Sequence, residues 1–148
     1  MKAEVKKFLA DFVKKVIETW VKERKVLEIP KEFPEELKVK KGVFVTLLKN
    51  GELRGCIGIP YPVASILENA REAAILATQD PRFFPLSENE LKDISIEISI
   101  LEQPKKIEFE NEAELLKKLD KQKGLILKKR GKEALFLPQV WEILKDKK

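Results

Sequence analysis

Val43-Phe44-Val45-Thr46-Leu47-Leu48-Lys49, then Asn50-Gly51, then Glu52-Leu53-Arg54-Gly55-Cys56-Ile57-Gly58-Ile59, is the stretch that decides the fold. The first seven residues are rich in β-formers. Asn-Gly is the strongest two-residue hairpin signal, because both positions of a type I′ turn need positive φ. The return strand ends at Pro60-Tyr61-Pro62. A two-residue turn places Glu52 opposite Lys49, Arg54 opposite Leu47 and Cys56 opposite Val45. Strand alternation puts Arg54, Cys56 and Gly58 on one face and Leu53, Gly55, Ile57 and Ile59 on the other.

Helical periodicity flanks the hairpin. Val5, Phe8, Leu9, Phe12, Val13, Val16, Ile17, Trp20 and Val21 recur at i, i+3, i+4 and i+7, which predicts an amphipathic helix over 4–24. Acidic residues share its polar face with the lysines, so it should pack on a sheet and not lie on a membrane. Leu27, Ile29, Phe33 and Leu37 mark 27–42 as an ordered surface loop. Val63, Ile66, Leu67, Ala70, Ala73, Ala74 and Ala77 predict a second helix to about Thr78. In Asp80-Pro81-Arg82-Phe83-Phe84-Pro85 the proline spacing predicts a turn-rich loop, anchored in the core by Phe83 and Phe84. Ser87-Glu88-Asn89-Glu90 has capping-box spacing. Ile94 to Glu102 alternates as a half-buried strand. Beyond it come a short helix over 112–119, a second hairpin (124–129 and 133–137) and a last helix from Pro138 to Leu144. The whole predicts an α+β domain. Its mainly antiparallel sheet is built from two hairpins and a central strand, with the N-terminal and mid-chain helices packed on it.

Composition narrows the chemistry. The chain has 148 residues, 43% hydrophobic and 37% charged, which suits one globular domain over 1–148, with room for two lobes. One cysteine and no histidine exclude an internal disulfide, a cysteine-pair zinc site and any Ser-His or Cys-His pair. No metal or cofactor is expected. The N-terminus lacks a secretory pattern, and no apolar run approaches the roughly 18 residues of a membrane span. Charge is segmented. Residues 1–50 hold 13 basic and 8 acidic side chains, 51–104 hold 4 and 9, and 105–148 hold 13 and 8. Lysines outnumber arginines 25 to 5, and most alternate with glutamates, a surface of thermophile type. Basic flanks could attract nucleic acid, but few exposed aromatics are identifiable for base stacking, so that reading ranks below the others.

Leu53-Arg54-Gly55-Cys56-Ile57-Gly58 is the segment with chemical potential. Two glycines within four positions mark a bulge or a close approach by another backbone or a ligand. Arg54 on the same face as Cys56 would favour the thiolate, and Gly58 would leave room for a substrate beside the sulfur. The plainer reading makes Cys56 a small buried hydrophobe, and Arg54 a surface residue or the partner of a carboxylate such as Asp80 or Glu97. Arg82 could hold a carboxylate or phosphate in a cleft beside the hairpin. The plainer alternative has Asp80 ending the helix and bonding its own backbone. Lys128-Lys129-Arg130 reads as a charged hairpin tip.

Gly42 to Thr46, Leu53 to Gly58, Asp80-Pro81-Arg82-Phe83 and Leu137-Pro138-Gln139-Val140-Trp141 stand in the order and spacing of the AMMECR-one-like family, which the chain resembles over most of its length. The hexapeptide is the specific marker. The resemblance implies an intracellular, cytoplasmic α+β protein of unestablished activity, encoded in prokaryotes beside radical-SAM and Memo-type proteins. It also implies a signature site at Leu53 to Gly58 and a second block at Asp80 to Phe83. The chain departs from the family twice. It stops at Lys148, where members continue with a helical segment that could cover the cleft. It also carries Phe84 where many members have proline or a polar residue. Three functions follow. The first is an enzyme or enzyme component acting on an anionic substrate, with Cys56 and Arg54 catalytic and Gly55, Gly58, Asp80 and Arg82 binding the substrate. The second is a non-catalytic module that binds a protein or carrier. The third is a nucleic-acid binder using the basic flanks. A monomer or homodimer is expected.

Overall fold

A continuous apolar stripe and a favourable end fix the first element. The computed structural model describes residues 1–102, 110–118, 125–129 and 132–136. Helix α1 runs Ala3–Glu23, and Val13, Val16 and Ile17 on its stripe are almost fully enclosed. Arg24 ends it in the left-handed conformation (φ 55°), where its amide donates to the Trp20 carbonyl at 2.9 Å. No helix among the described residues is long and apolar enough to cross a membrane.

Strands β1 (Gly42–Lys49) and β2 (Glu52–Ile59) form the expected hairpin, with Asn50 at φ 52° and Gly51 at φ 84°. Strand β3 (Ile94–Leu101) pairs antiparallel with β1, giving the order β2-β1-β3. The middle position therefore goes to β1. Its Val43, Val45 and Leu47 are fully buried, and Ile94, Ile96, Ile98 and Ile100 pack beside them. Helix α2 (Ile66–Thr78) lies on this face against β1 and β2, and α1 packs on α2. An alanine-rich stripe (Ala70, Ala73, Ala74, Ala77) lets α2 approach the sheet closely. The Ser65 side chain caps α2, so the helix starts three residues later than Val63, which is 69% exposed.

The 27–42 segment is ordered as expected. Leu37, inside a one-turn 3₁₀ helix (Glu35–Lys38), is fully buried, with Leu27, Ile29 and Phe33 packed on the core. Leu37→Ala removes a fully enclosed side chain, and we expect a loss of about 2–5 kcal/mol in urea unfolding.

The chain divides into two compact units, Met1–Gln103 and Pro104–Lys148. In the second, Asn111 accepts from the Glu114 amide at 2.9 Å and caps α3 (Glu112–Lys118). Strands β4 (Leu125–Lys129) and β5 (Lys132–Phe136) pair as an antiparallel hairpin, Lys129 facing Lys132. Arg130, the Leu137 to Trp141 block and the last expected helix lie outside the described residues.

Candidate functional site

The hexapeptide's register differs from simple alternation. Leu48 faces Leu53, but Leu47 faces Gly55, so Arg54 is the extra residue of a β-bulge. One inserted residue shifts everything after it. Cys56 stands opposite Thr46, not Val45, and Leu53 shares the outer face with Leu48. That outer face, opposite the helices, carries the row Cys56–Thr46–Glu97 and, next to it, Gly58–Phe44–Ser99. The Cys56 sulfur lies 3.1 Å from the Thr46 hydroxyl, and the residue is half-buried.

The bulge turns Arg54 away from the sulfur. Its Nε donates to Glu90 Oε2 at 2.8 Å and its Nη2 to Oε1 at 3.0 Å, a bidentate pair little exposed to solvent. Lys49 Nζ reaches the same carboxylate at 3.0 Å, and the Ser87 amide and hydroxyl each donate to it at 3.1 Å. The Arg54 guanidinium, foremost, holds the Glu90 carboxyl well below the usual carboxylate range. The expectation that Arg54 sits beside the thiol is thus corrected. Its partner is Glu90, neither Asp80 nor Glu97. Glu90 completes the predicted capping box and opens the 3₁₀ stretch Glu88–Asp93. Nothing in its sequence position shows that it also anchors the bulge.

Asp80 follows α2 and is 3% exposed. Its Oδ1 accepts from the Arg82 amide and from Arg82 Nε, both at 3.1 Å. Its Oδ2 accepts from Arg82 Nη2 at 2.7 Å and from the Cys56 amide at 3.0 Å. Arg82 Nη2 also lies 3.4 Å from the Cys56 carbonyl. So both outward backbone groups of Cys56, on the edge strand, meet side chains of one loop. An aspartate and an arginine stand in for a neighbouring strand. The Arg82 side chain, foremost, lowers the Asp80 pKa to about 2 against the opposing effect of burial. Asp80 in turn raises that of Arg82, with a smaller contribution from Cys56. Arg82, not Arg54, is therefore the arginine that reaches Cys56, through its backbone carbonyl.

The glycines serve packing. A Cβ on Gly55 would stand 2.3 Å from the Ala77 carbonyl oxygen, and one on Gly58 would stand 2.3 Å from the Val43 oxygen and 2.6 Å from the Phe44 ring. Gly58 therefore leaves no room for a substrate; the backbone of β1 and the Phe44 ring fill it. The Phe83 ring has the Arg54 and Arg82 guanidiniums at 6.0 and 5.5 Å from its centre. Phe84 does not anchor the loop, being 88% exposed; Leu86, at 2%, does. Among the described residues no group of three or more histidine, cysteine or acidic side chains could hold a metal ion.

A family model described as AMMECR1 matches residues 10–148. The chain belongs to the AMMECR1 family. A protein of Methanothermobacter thermautotrophicus is 40% identical over 137 residues, spanning 89% of this chain and 70% of the relative. A protein of Thermococcus onnurineus is 41% identical, over 95% of this chain and 71% of that one. The crystal structure of an uncharacterized protein from Pyrococcus horikoshii superposes with a TM-score of 0.90 at 37% identity, covering 98% of this chain and 74% of that one.

Proposed function

We propose that this AMMECR1-family chain is an enzyme or enzyme component that transfers a group from an anionic donor to the Cys56 sulfur. In the transfer a bond forms from sulfur to the moving group as that group's bond to its anionic leaving group breaks. The electron pair leaves with the anion, and the thiol's proton passes to it. Arg82 binds the anion with the side of its guanidinium that Asp80 leaves outward; its side chain is 58% exposed. Arg54 acts as a positioning residue, through the bulge that brings Cys56 opposite Thr46. The carrying observation is the half-buried sulfur, 3.1 Å from a hydroxyl, on the residue whose carbonyl Arg82 reaches. The family resemblance adds radical-SAM and Memo-type proteins as partners and a cytoplasmic setting.

A second reading, a module that binds a protein or carrier without chemistry, is favoured by one observation. Both arginines already hold carboxylates of the same chain. Alkylation separates the two. In the folded protein at neutral pH, iodoacetamide should modify Cys56 without denaturant, and the anionic reagent iodoacetate should lose rate relative to iodoacetamide in Arg82→Gln. A thiol inert until the chain is denatured overturns the enzyme reading.

A further inference from the structure

The loop after α2 presents an aromatic ring to water on a frame that cannot easily withdraw it. Pro81 and Pro85 restrict the backbone on either side of Phe84. The Phe83 amide donates to the Asp80 carbonyl at 3.0 Å and the Leu86 amide to Thr78 at 2.9 Å. Arg54 Nη2 lies 3.4 Å from the Pro85 carbonyl oxygen. Phe83 is held near two guanidiniums and Leu86 is buried. What remains outward is Phe84, at 88% exposure, and the Arg82 side chain, at 58%.

Exposure selects the ligand. Three cations (Lys49, Arg54 and Arg82) meet two carboxylates (Glu90 and Asp80) in the pairs that brace the loop. Glu88, two residues from Glu90, balances the remaining positive charge, and residues 51–104 as a whole are acidic. Arg82 is the most exposed of the three. An anion therefore meets Arg82, and a flat ring meets Phe84. Two residues of chain span at most about 7 Å, the scale on which one nucleotide joins phosphate to base. A sequence-tolerant base stacks on an exposed aromatic side chain in this way.

We propose that the Arg82–Phe84 loop binds a nucleotide unit, with the base stacked on Phe84 and the phosphate at the outward side of Arg82. The proposal deepens the anionic-substrate reading and rests on it only for Arg82 as the anion holder. A free mononucleotide and a single strand of nucleic acid offer the same chemistry.

The test uses the full chain at low salt with fluorescein-labelled (dT)12, the same 12-mer made abasic, AMP and ribose 5-phosphate. Anisotropy follows the oligomers, and amide shifts in NMR follow the small molecules. Binding of (dT)12 with a Phe84→Ala loss of about tenfold or more identifies a strand as the source. Saturable AMP shifts at Phe84, absent with ribose 5-phosphate and in Phe84→Ala, identify a free nucleotide. Phe84→Trp should retain or strengthen either. The proposal is overturned if neither probe binds, if Phe84→Ala binds as well as the parent, or if the abasic strand binds like (dT)12. Because Phe84 is exposed, its variants should fold normally, which a thermal melt checks. Alkylation of Cys56 reports separately. An inert thiol with intact base-dependent binding removes the transfer chemistry and leaves the ligand.

Discussion

Gly55→Ala should lower the stability of the first unit by about 3 kcal/mol or more, or prevent its folding. The added methyl would stand 2.3 Å from the Ala77 carbonyl oxygen and 3.3 Å from the carbonyl carbon. That neighbour is backbone in the last turn of α2, so no rotamer change relieves the contact. Either β2 or α2 must retreat. Ala73, Ala74 and Ala77 are at most 1% exposed, so a retreat opens the tightest part of the helix–sheet seam. It also draws Asp80 away from the Cys56 amide, since that carboxylate follows directly on α2. Gly51→Ala is the informative control. It has open space around it but a φ of 84°, so its cost is local strain of about 1–2 kcal/mol. In thermal melts by circular dichroism, Gly55→Ala should therefore fall by more than about 12 °C, and Gly51→Ala by clearly less. A Gly55→Ala melting point within a few degrees of the parent would overturn the close approach.

Periodic features were legible in the sequence because each rests on a local rule. The stripe from Val5 to Val21, the Asn50-Gly51 turn and the capping box at Ser87 all appear where spacing and turn chemistry put them. Predicted strand bounds at Glu52 and Ile59 also match. The site was less legible, because its logic is not local. One extra residue at Arg54 exchanged Val45 for Thr46 as the partner of Cys56; the two glycines had marked a bulge as one option, but nothing in the sequence placed it at Arg54. The two glycines did signal close backbone approach. That signal could not say whether a ligand or the chain itself makes the approach, and the answer is α2 and β1. Pairing of Arg54 with Glu90, thirty-six residues away, depends on how the 3₁₀ stretch meets the hairpin. The same holds for Phe84. Its neighbour Phe83 is half-buried and Leu86 is enclosed, so the loop had one apolar side chain more than its inner face could take.

Asp80→Asn should cost about 3 kcal/mol at pH 7, and the cost should shrink in acid. The carboxylate accepts from the Cys56 amide, the Arg82 amide and two Arg82 nitrogens while almost wholly buried. An amide offers one oxygen to those donors and turns two N–H groups toward them, leaving at least one buried donor unmet, which costs about 1–3 kcal/mol. The charge is a separate part. In the folded chain the Asp80 pKa lies at about 2, against 3.8 for an unperturbed aspartate. Because the folded value is the lower one, the ionised form stabilises the fold. That contribution is complete above the unfolded value and disappears as pH falls through the folded one. The difference corresponds to at most about 2 kcal/mol, reduced because water screens the exposed Arg82. Unfolding free energies from urea titrations should therefore drop for the parent between about pH 4 and pH 2, and less steeply for Asp80→Asn. Glu90, also held below its usual range, leaves the variant with an acid-sensitive slope of its own. Hydrogen exchange supplies the local reading. The Cys56 amide should exchange faster in Asp80→Asn than in the parent, while the Val45 amide on the central strand changes only by the global loss. Parallel pH curves for the two proteins, or equal protection of the Cys56 amide, would show that the loop does not hold the edge strand.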